Sequence, residues 1–111
     1  MHELAIAQNI IDTVNELKKE YSNIKKVTVV YGKLQQIVPD SLIFYLDIIK
    51  KERGFENTEF IIKENKLKIK CKNCNKISML DEITFICPAC NSNEIEILNG
   101  NELYIEKIEI T

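Results

Sequence analysis

The chain has 111 residues, 45% of them apolar, which supports one modest core and leaves any second folding unit too small to hold together on apolar burial alone. Its formal charge is −2, and among 15 basic residues only Arg53 is an arginine, so the clustered positive charge and guanidinium forks of a nucleic-acid binder are missing. Asp12, Asn15 and Glu16 interrupt the first apolar segment, which excludes a signal-peptide core or a membrane span there; the protein is expected in the cytoplasm, where paired thiols bind metal more often than they form disulfides.

In chain order, Leu4, Ala7, Ile11 and Val14 recur at helical spacing, widened by Ile6, Ile10, Leu17 and Tyr21. They predict an amphipathic helix over 4–21, with Lys18 and Lys19 suiting its negative end and Ser22-Asn23 breaking it. Residues 26–34, KVTVVYGKL, are β-branched and roughly alternating, predicting a strand with Gly32 at a bulge or a close backbone approach. After a turn at Pro39, Asp40 or Ser41 is expected to cap a helix to about Arg53, with Leu42, Tyr45, Leu46 and Ile49 on one face and Gly54 as its stop. Phe44 and Ile48 make that helix apolar nearly all round, so it is expected to be well buried. Strands follow at 57–63 and 67–70, joined by a hairpin turn at Asn65. A short strand at 94–98 and a turn at Gly100-Asn101 lead to a last strand at 103–110. In that strand Leu103 and Ile105 face one way and Ile108 and Ile110 the other, so it is either buried on both faces or bulged. The class is α+β: two helices packed on a small sheet, formed by residues 1–70 with 99–111, and an inserted zinc-ribbon-like domain at 71–98.

That insertion is framed by Cys71-Lys72-Asn73-Cys74 and Cys87-Pro88-Ala89-Cys90, twelve residues apart. Two residues between cysteines let a tight turn aim both sulfurs at one ion, and two such knuckles complete the tetrahedral thiolate shell that Zn(II) accepts. Asn75 and Asn91 follow the knuckles, and Asn tolerates the left-handed backbone such turns need. With four sulfurs filling the shell the metal is structural, with no open position for substrate. Ile77, Met79, Leu80, Ile83, Phe85 and Ile86, the apolar residues between the pairs, are too few to hold the piece without it. A redox dithiol, two disulfides and an iron–sulfur cluster are the competing readings; the first of these expects one reactive pair on a thioredoxin-like βαβ unit, a context this pattern lacks.

His2 is the only histidine. A lone histidine at a chain end is usually just solvated, but here the Met1 amine, the His2 amide nitrogen and the His2 Nδ1 can close two adjacent chelate rings. Such a nitrogen set suits Ni(II) or Cu(II). Glu3 can add its amide nitrogen or its carboxylate, and the start of the first helix favours neutral imidazole and an ionised Glu3.

Met-His-Glu at the N-terminus, a strand of the VxxxYGxL kind, Val38-Pro39-Asp40-Ser41-Leu42, the two knuckles and a closing Gly100-Asn101-Glu102-Leu103 together resemble the HypA family of hydrogenase maturation factors, in order and over nearly the whole chain. The resemblance implies a nickel metallochaperone, with nickel at His2 and Glu3 and zinc on Cys71, Cys74, Cys87 and Cys90. It implies delivery to the [NiFe]-hydrogenase large subunit precursor together with a HypB-like GTPase, and in some organisms a share in urease maturation. Some family members carry further histidines near either metal; this chain has none, so any additional nickel ligand comes from Glu3, the backbone, water or a partner. An enzyme is not expected, since one histidine and no nucleophile–base motif leave little to run a reaction, and Asp81-Glu82 reads as a solvated loop. The alternative to metal delivery is a zinc-ribbon module that binds protein.

Overall fold

The structure, a computed structural model, describes residues 2–20 and 23–110. The elements are α1 (Glu3–Lys18), β1 (Ile24–Gly32), a single 3-10 turn (Lys33–Gln35), α2 (Pro39–Glu52), β2 (Glu59–Asn65), β3 (Leu67–Cys71), β4 (Ile77–Leu80), β5 (Ile95–Asn99) and β6 (Leu103–Ile110). They build two three-stranded sheets, ordered β2-β1-β6 and β4-β3-β5. The chain divides into two compact units: one of residues 1–30, 37–63 and 104–111, the other of residues 31–36 and 64–103. The unit that contains the cysteines thus takes in β3 and residues 31–36 as well.

In the first unit α1 and α2 pack on each other. Ala7, Ile10, Ile11 and Val14 of α1 and Leu42, Leu46 and Ile49 of α2 are buried, together with Val27, Val29 and Val30 of the central strand β1. Leu4, placed in the predicted stripe, is exposed, and the predicted Tyr21 and Ser22 fall outside the described residues. The start of α2 differs from expectation: neither Asp40 nor Ser41 caps it. Pro39 is its first residue and Val38, in extended conformation, is the N-cap without any side-chain cap bond. Proline's fixed φ and missing N–H suit that first position, and the residue before a proline is driven to extended backbone. The C-terminus ends as predicted on Gly54, at φ 81°. The Phe55 N–H donates to the Lys50 carbonyl at 2.7 Å, a Schellman closure that needs a residue free to adopt positive φ.

The expected burial of α2 is not found. Phe44 is 59% exposed and Ile48 42%. The helix contributes one stripe, Leu42, Leu46 and Ile49, to one core, and among the described residues no second layer covers its far side. The expected hairpin at Asn65 is also absent, because β2 and β3 belong to different sheets. β6 is an edge strand with Leu103, Tyr104 and Ile110 exposed: its changing parity reflects half-burial of Ile105 and Ile108 rather than two covered faces.

In the second unit Leu67 and Ile69 are buried on one face of β3. The close approach expected at Gly32 is present: a Cβ there would run into the backbone of Gly100 and the carboxylate of Glu102. The Gly32 N–H donates to the Glu102 carbonyl at 2.8 Å and the Leu34 N–H to the Gly100 carbonyl at 2.7 Å. Leu34 lies in the 3-10 turn, not in the strand that was predicted to include it. The Glu102 side chain closes this node, accepting from the Gly100 N–H at 2.6 Å and the Asn65 amide at 3.1 Å. Burial pushes its carboxyl up, but its own N–H, Asn65 and Gly100 outweigh burial and leave it below the usual value.

Beside the node, buried Tyr31 donates its hydroxyl to Glu64 at 3.1 Å. Burial, then the bond to Glu64 and the negative charge of Glu64, push the phenol up to about 12 from an ordinary 10.0. A raised folded pKa means that this stabilisation is complete below pH 10.0 and is lost as pH rises through about 12. Phenolate absorbance of the folded chain is therefore expected to show Tyr31 titrating late, and Glu64→Gln is expected to bring it down; an unchanged titration in that variant would remove Glu64 as a cause.

Candidate functional site

The two knuckles have the same backbone. The Asn75 N–H donates to the Cys71 carbonyl at 2.9 Å and the Cys71 N–H to the Lys76 carbonyl at 2.9 Å; the Asn91 N–H donates to the Cys87 carbonyl and the Cys87 N–H to the Ser92 carbonyl, both at 2.8 Å. Asn75 and Asn91 both sit at φ 62°, the left-handed conformation expected of them. β3 delivers the first knuckle directly, since Cys71 is its last residue.

The turns bring the four sulfurs within 4.8 Å of one another. Closest across the knuckles are Cys71 and Cys90, at 3.6 Å, and Cys74 and Cys87, at 3.7 Å. An ion bonded to four sulfurs at about 2.3 Å in a tetrahedron holds them about 3.8 Å apart, so these spacings and this donor set fit a metal ion such as zinc. All four cysteines are free of disulfides. Cys71 and Cys87 are each only 1% exposed, while Cys74 and Cys90 lie at the surface.

The electrostatics call for a cation. The Cys74 N–H, which points at the Cys71 sulfur from 3.4 Å, lowers the Cys71 thiol to about 6 against the opposing effect of burial. Backbone bonding from Cys90 likewise holds Cys87 down. At Cys74 the Lys76 N–H works downward, but burial and the three neighbouring sulfurs outweigh it and push the thiol up to about 11. The cluster thus favours some thiolates and resists becoming fully ionised alone; a divalent ion removes that resistance.

Among the described residues the four cysteines are the one group able to hold a metal ion; His2 and Glu3 are not brought into such a group, and Met1 lies outside the described residues. His2 is exposed and occupies the N-cap position of α1 without a side-chain cap bond, so its imidazole is not engaged in starting the helix. Its carbonyl accepts the first helical bond, from the Ile6 N–H at 3.0 Å. The amide nitrogens of His2 and Glu3 precede that donor and have no helical acceptor to lose. Glu3 is buried, and the Val38 N–H lies 3.4 Å from its carboxylate. Burial pushes this carboxyl up, but the positive charge at the chain's N-terminus, the Val38 N–H and its own N–H leave it below the ordinary value. The Glu3 side chain therefore ties the start of α1 to the start of α2, a role the sequence reading missed because nothing in the residue pattern pairs Glu3 with a backbone group 35 positions away.

Comparison with known proteins identifies the family. Residues 1–110 match the family described as hydrogenase/urease nickel incorporation, metallochaperone, hypA. Hydrogenase maturation factor HypA of Caldanaerobacter subterraneus subsp. tengcongensis is 35% identical over 113 residues, with 99% of each chain covered. That of Aquifex aeolicus is 30% identical over 112 residues, covering 99% of this chain and 97% of its own. The fold matches the solution structure of the Ni metallochaperone HypA from Helicobacter pylori with a TM-score of 0.69 at 21% identity, over 99% of this chain and 97% of that one. A matching family model over nearly the full length, relatives of the same length and a shared α+β fold leave one assignment: the chain belongs to the HypA family of hydrogenase maturation factors, nickel metallochaperones.

Proposed function

We propose that the chain binds Ni(II) through Met1, His2 and Glu3 and carries it for the maturation of [NiFe]-hydrogenase, while Zn(II) on Cys71, Cys74, Cys87 and Cys90 is structural. Residues 1–70 with 99–111 act as the nickel-binding body and 71–98 as the zinc domain. The proposed partners are a HypB-like GTPase and the hydrogenase large subunit precursor, with urease a second destination and the cytoplasm the location. No catalytic turnover is expected, because the sulfur shell leaves no open coordination position.

The observation that carries this reading is the chemistry at the start of α1. The His2 imidazole is exposed and uncommitted, and the amide nitrogens of His2 and Glu3 lie ahead of the first helical donor. Nickel can replace those amide protons without breaking a helical bond, and square-planar nitrogen donors suit it. Glu3 serves through its nitrogen, leaving its carboxylate on Val38. An open site of few ligands also releases its cargo more readily than a closed shell.

Calorimetric titration of zinc-loaded, untagged protein with Ni(II) tests this directly. One nickel per chain is expected, and His2→Ala is expected to weaken binding by more than the roughly 10- to 100-fold that outer-shell changes cost. Equal binding by the variant, or none by either protein, would favour the zinc-ribbon interaction module instead.

A further inference from the structure

β4 is the outer strand of the β4-β3-β5 sheet. Among the described residues, no backbone hydrogen bond beyond its pairing with β3 reaches residues 77–80. An edge strand presents a row of N–H and C=O groups that recruits another strand, and proteins blunt such edges with charge, proline, bulges or a covering element. Ile77-Ser78-Met79-Leu80 carries neither charge nor proline; its shortness is its one protection.

The face beside this edge is also distinctive. Met79 lies opposite Lys68 and Ile77 opposite Lys70, and directly opposed residues of an antiparallel pair share a face. These four therefore stand together, on the side of the sheet away from buried Leu67 and Ile69. Ile77 is 51% exposed and Met79 64%. Lys72 continues the alternation of Lys68 and Lys70 just beyond the strand. Among the described residues none of these three lysines takes part in an ion pair, whereas nearby Lys66 is paired with Asp81. A bare edge, two exposed apolar side chains and three lysines outside any ion pair thus coincide on one strand pair; Glu96 of β5 stands opposite Lys70, and Asn99, which is uncharged, opposite Lys68.

We propose that this edge and face bind an extended acidic segment of a partner protein, which adds to β4 as a fourth strand. Main-chain bonds along β4 supply affinity, as in other strand additions, and alternate side chains supply specificity: apolar groups of the segment cover Ile77 and Met79, and its carboxylates reach Lys68 and Lys70. Lysines without an arginine fork, on a chain of net negative charge, favour a short acidic peptide over a nucleic acid. β4 begins immediately after the first knuckle and β3 ends on Cys71, so the docking edge is held in shape by the metal centre.

The test is a titration of zinc-loaded, isotopically labelled full-length protein with a synthetic, end-blocked octapeptide of alternating glutamate and valine, followed by amide shifts and amide exchange. Saturable shifts confined to residues 66–80 and slowed exchange in β4 are expected. Lys68→Glu combined with Lys70→Glu is expected to weaken binding at least about tenfold with zinc content unchanged; Lys68→Gln with Lys70→Gln serves if the reversal costs zinc. The same peptide with lysine in place of glutamate should not bind. The proposal is overturned if no saturable binding occurs, if the charge variants bind equally, if a single-stranded oligonucleotide or anionic vesicles displace the peptide as well as unlabelled peptide does, or if β4 instead mediates self-association in sedimentation.

Discussion

Stripping the metal from the four sulfurs is expected to unfold the β4-β3-β5 sheet while the α1–α2 core persists. Apart from buried Leu67 and Ile69 on one face of β3, the sheet has little else to hold it. Of the apolar residues between the two knuckles, Ile77, Met79, Ile83, Phe85 and Ile86 are all exposed, so the shared ion is the core of that segment, and β4 and β5 depend on it most. Structural zinc contributes roughly 10–16 kcal/mol in small zinc-dependent domains, comparable to or larger than the roughly 5–15 kcal/mol that holds a whole domain folded. The helices draw instead on Ala7, Ile11, Val14, Leu42 and Leu46, none of which depends on a sulfur. Chelation, or Cys74→Ser, should therefore collapse the amide signals of residues 67–99 and leave helical circular dichroism largely intact. A full, dispersed spectrum in the metal-free protein would show that the sheet stands by side-chain packing alone.

Gly32→Ala is expected to be the most damaging of the chain's three possible glycine-to-alanine changes. The backbone at Gly32 is ordinary, at φ −87° and ψ 156°, so conformation is not the reason. Space is: the new Cβ meets the backbone carbonyl of Gly100 and the Glu102 carboxylate, and backbone, unlike a side-chain tip, cannot rotate away. Relief would break the bonds from the Gly32 and Leu34 N–H groups. Overpacking of this kind costs about 1–3 kcal/mol where side chains can adjust, and a loss at or above the upper end is expected here from the denaturation midpoint. Gly54→Ala is the contrast. Its positive φ carries a penalty of about 1–2 kcal/mol for an L side chain, but the space beside it is open, the Lys18 ammonium being 3.8 Å from the added atom. Equal tolerance of both substitutions would remove the Gly32 node from the account.

Features governed by local chemistry were legible in the sequence. The knuckle spacing implied four converging sulfurs, and the asparagine after each pair implied the left-handed turns found at Asn75 and Asn91. Gly32 implied a close approach, and Gly54 implied the stop of α2. What was not legible depends on partners distant in the chain. Asn65 has the chemistry of a hairpin turn, yet the strands on either side of it pair with β1 on the one hand and with β4 and β5 on the other, which no local pattern encodes. Phe44 and Ile48 look like core residues from composition alone; only the number of layers packed on α2 decides that they are not. Glu3 resembles a free ligand, and its carboxylate turns out to meet the Val38 N–H because Pro39 sets the helix start where that donor is available.

The measurement that bears most directly on the central claim, that cargo and structural metal occupy separate donor sets, is the nickel-edge X-ray absorption spectrum of the chain loaded with one zinc and one nickel. The account predicts nitrogen and oxygen neighbours only, in a square-planar or tetragonal environment that His2→Ala destroys. Sulfur in the first shell of nickel would contradict it, placing the cargo on the cysteine cluster and leaving the start of α1 without a metal role.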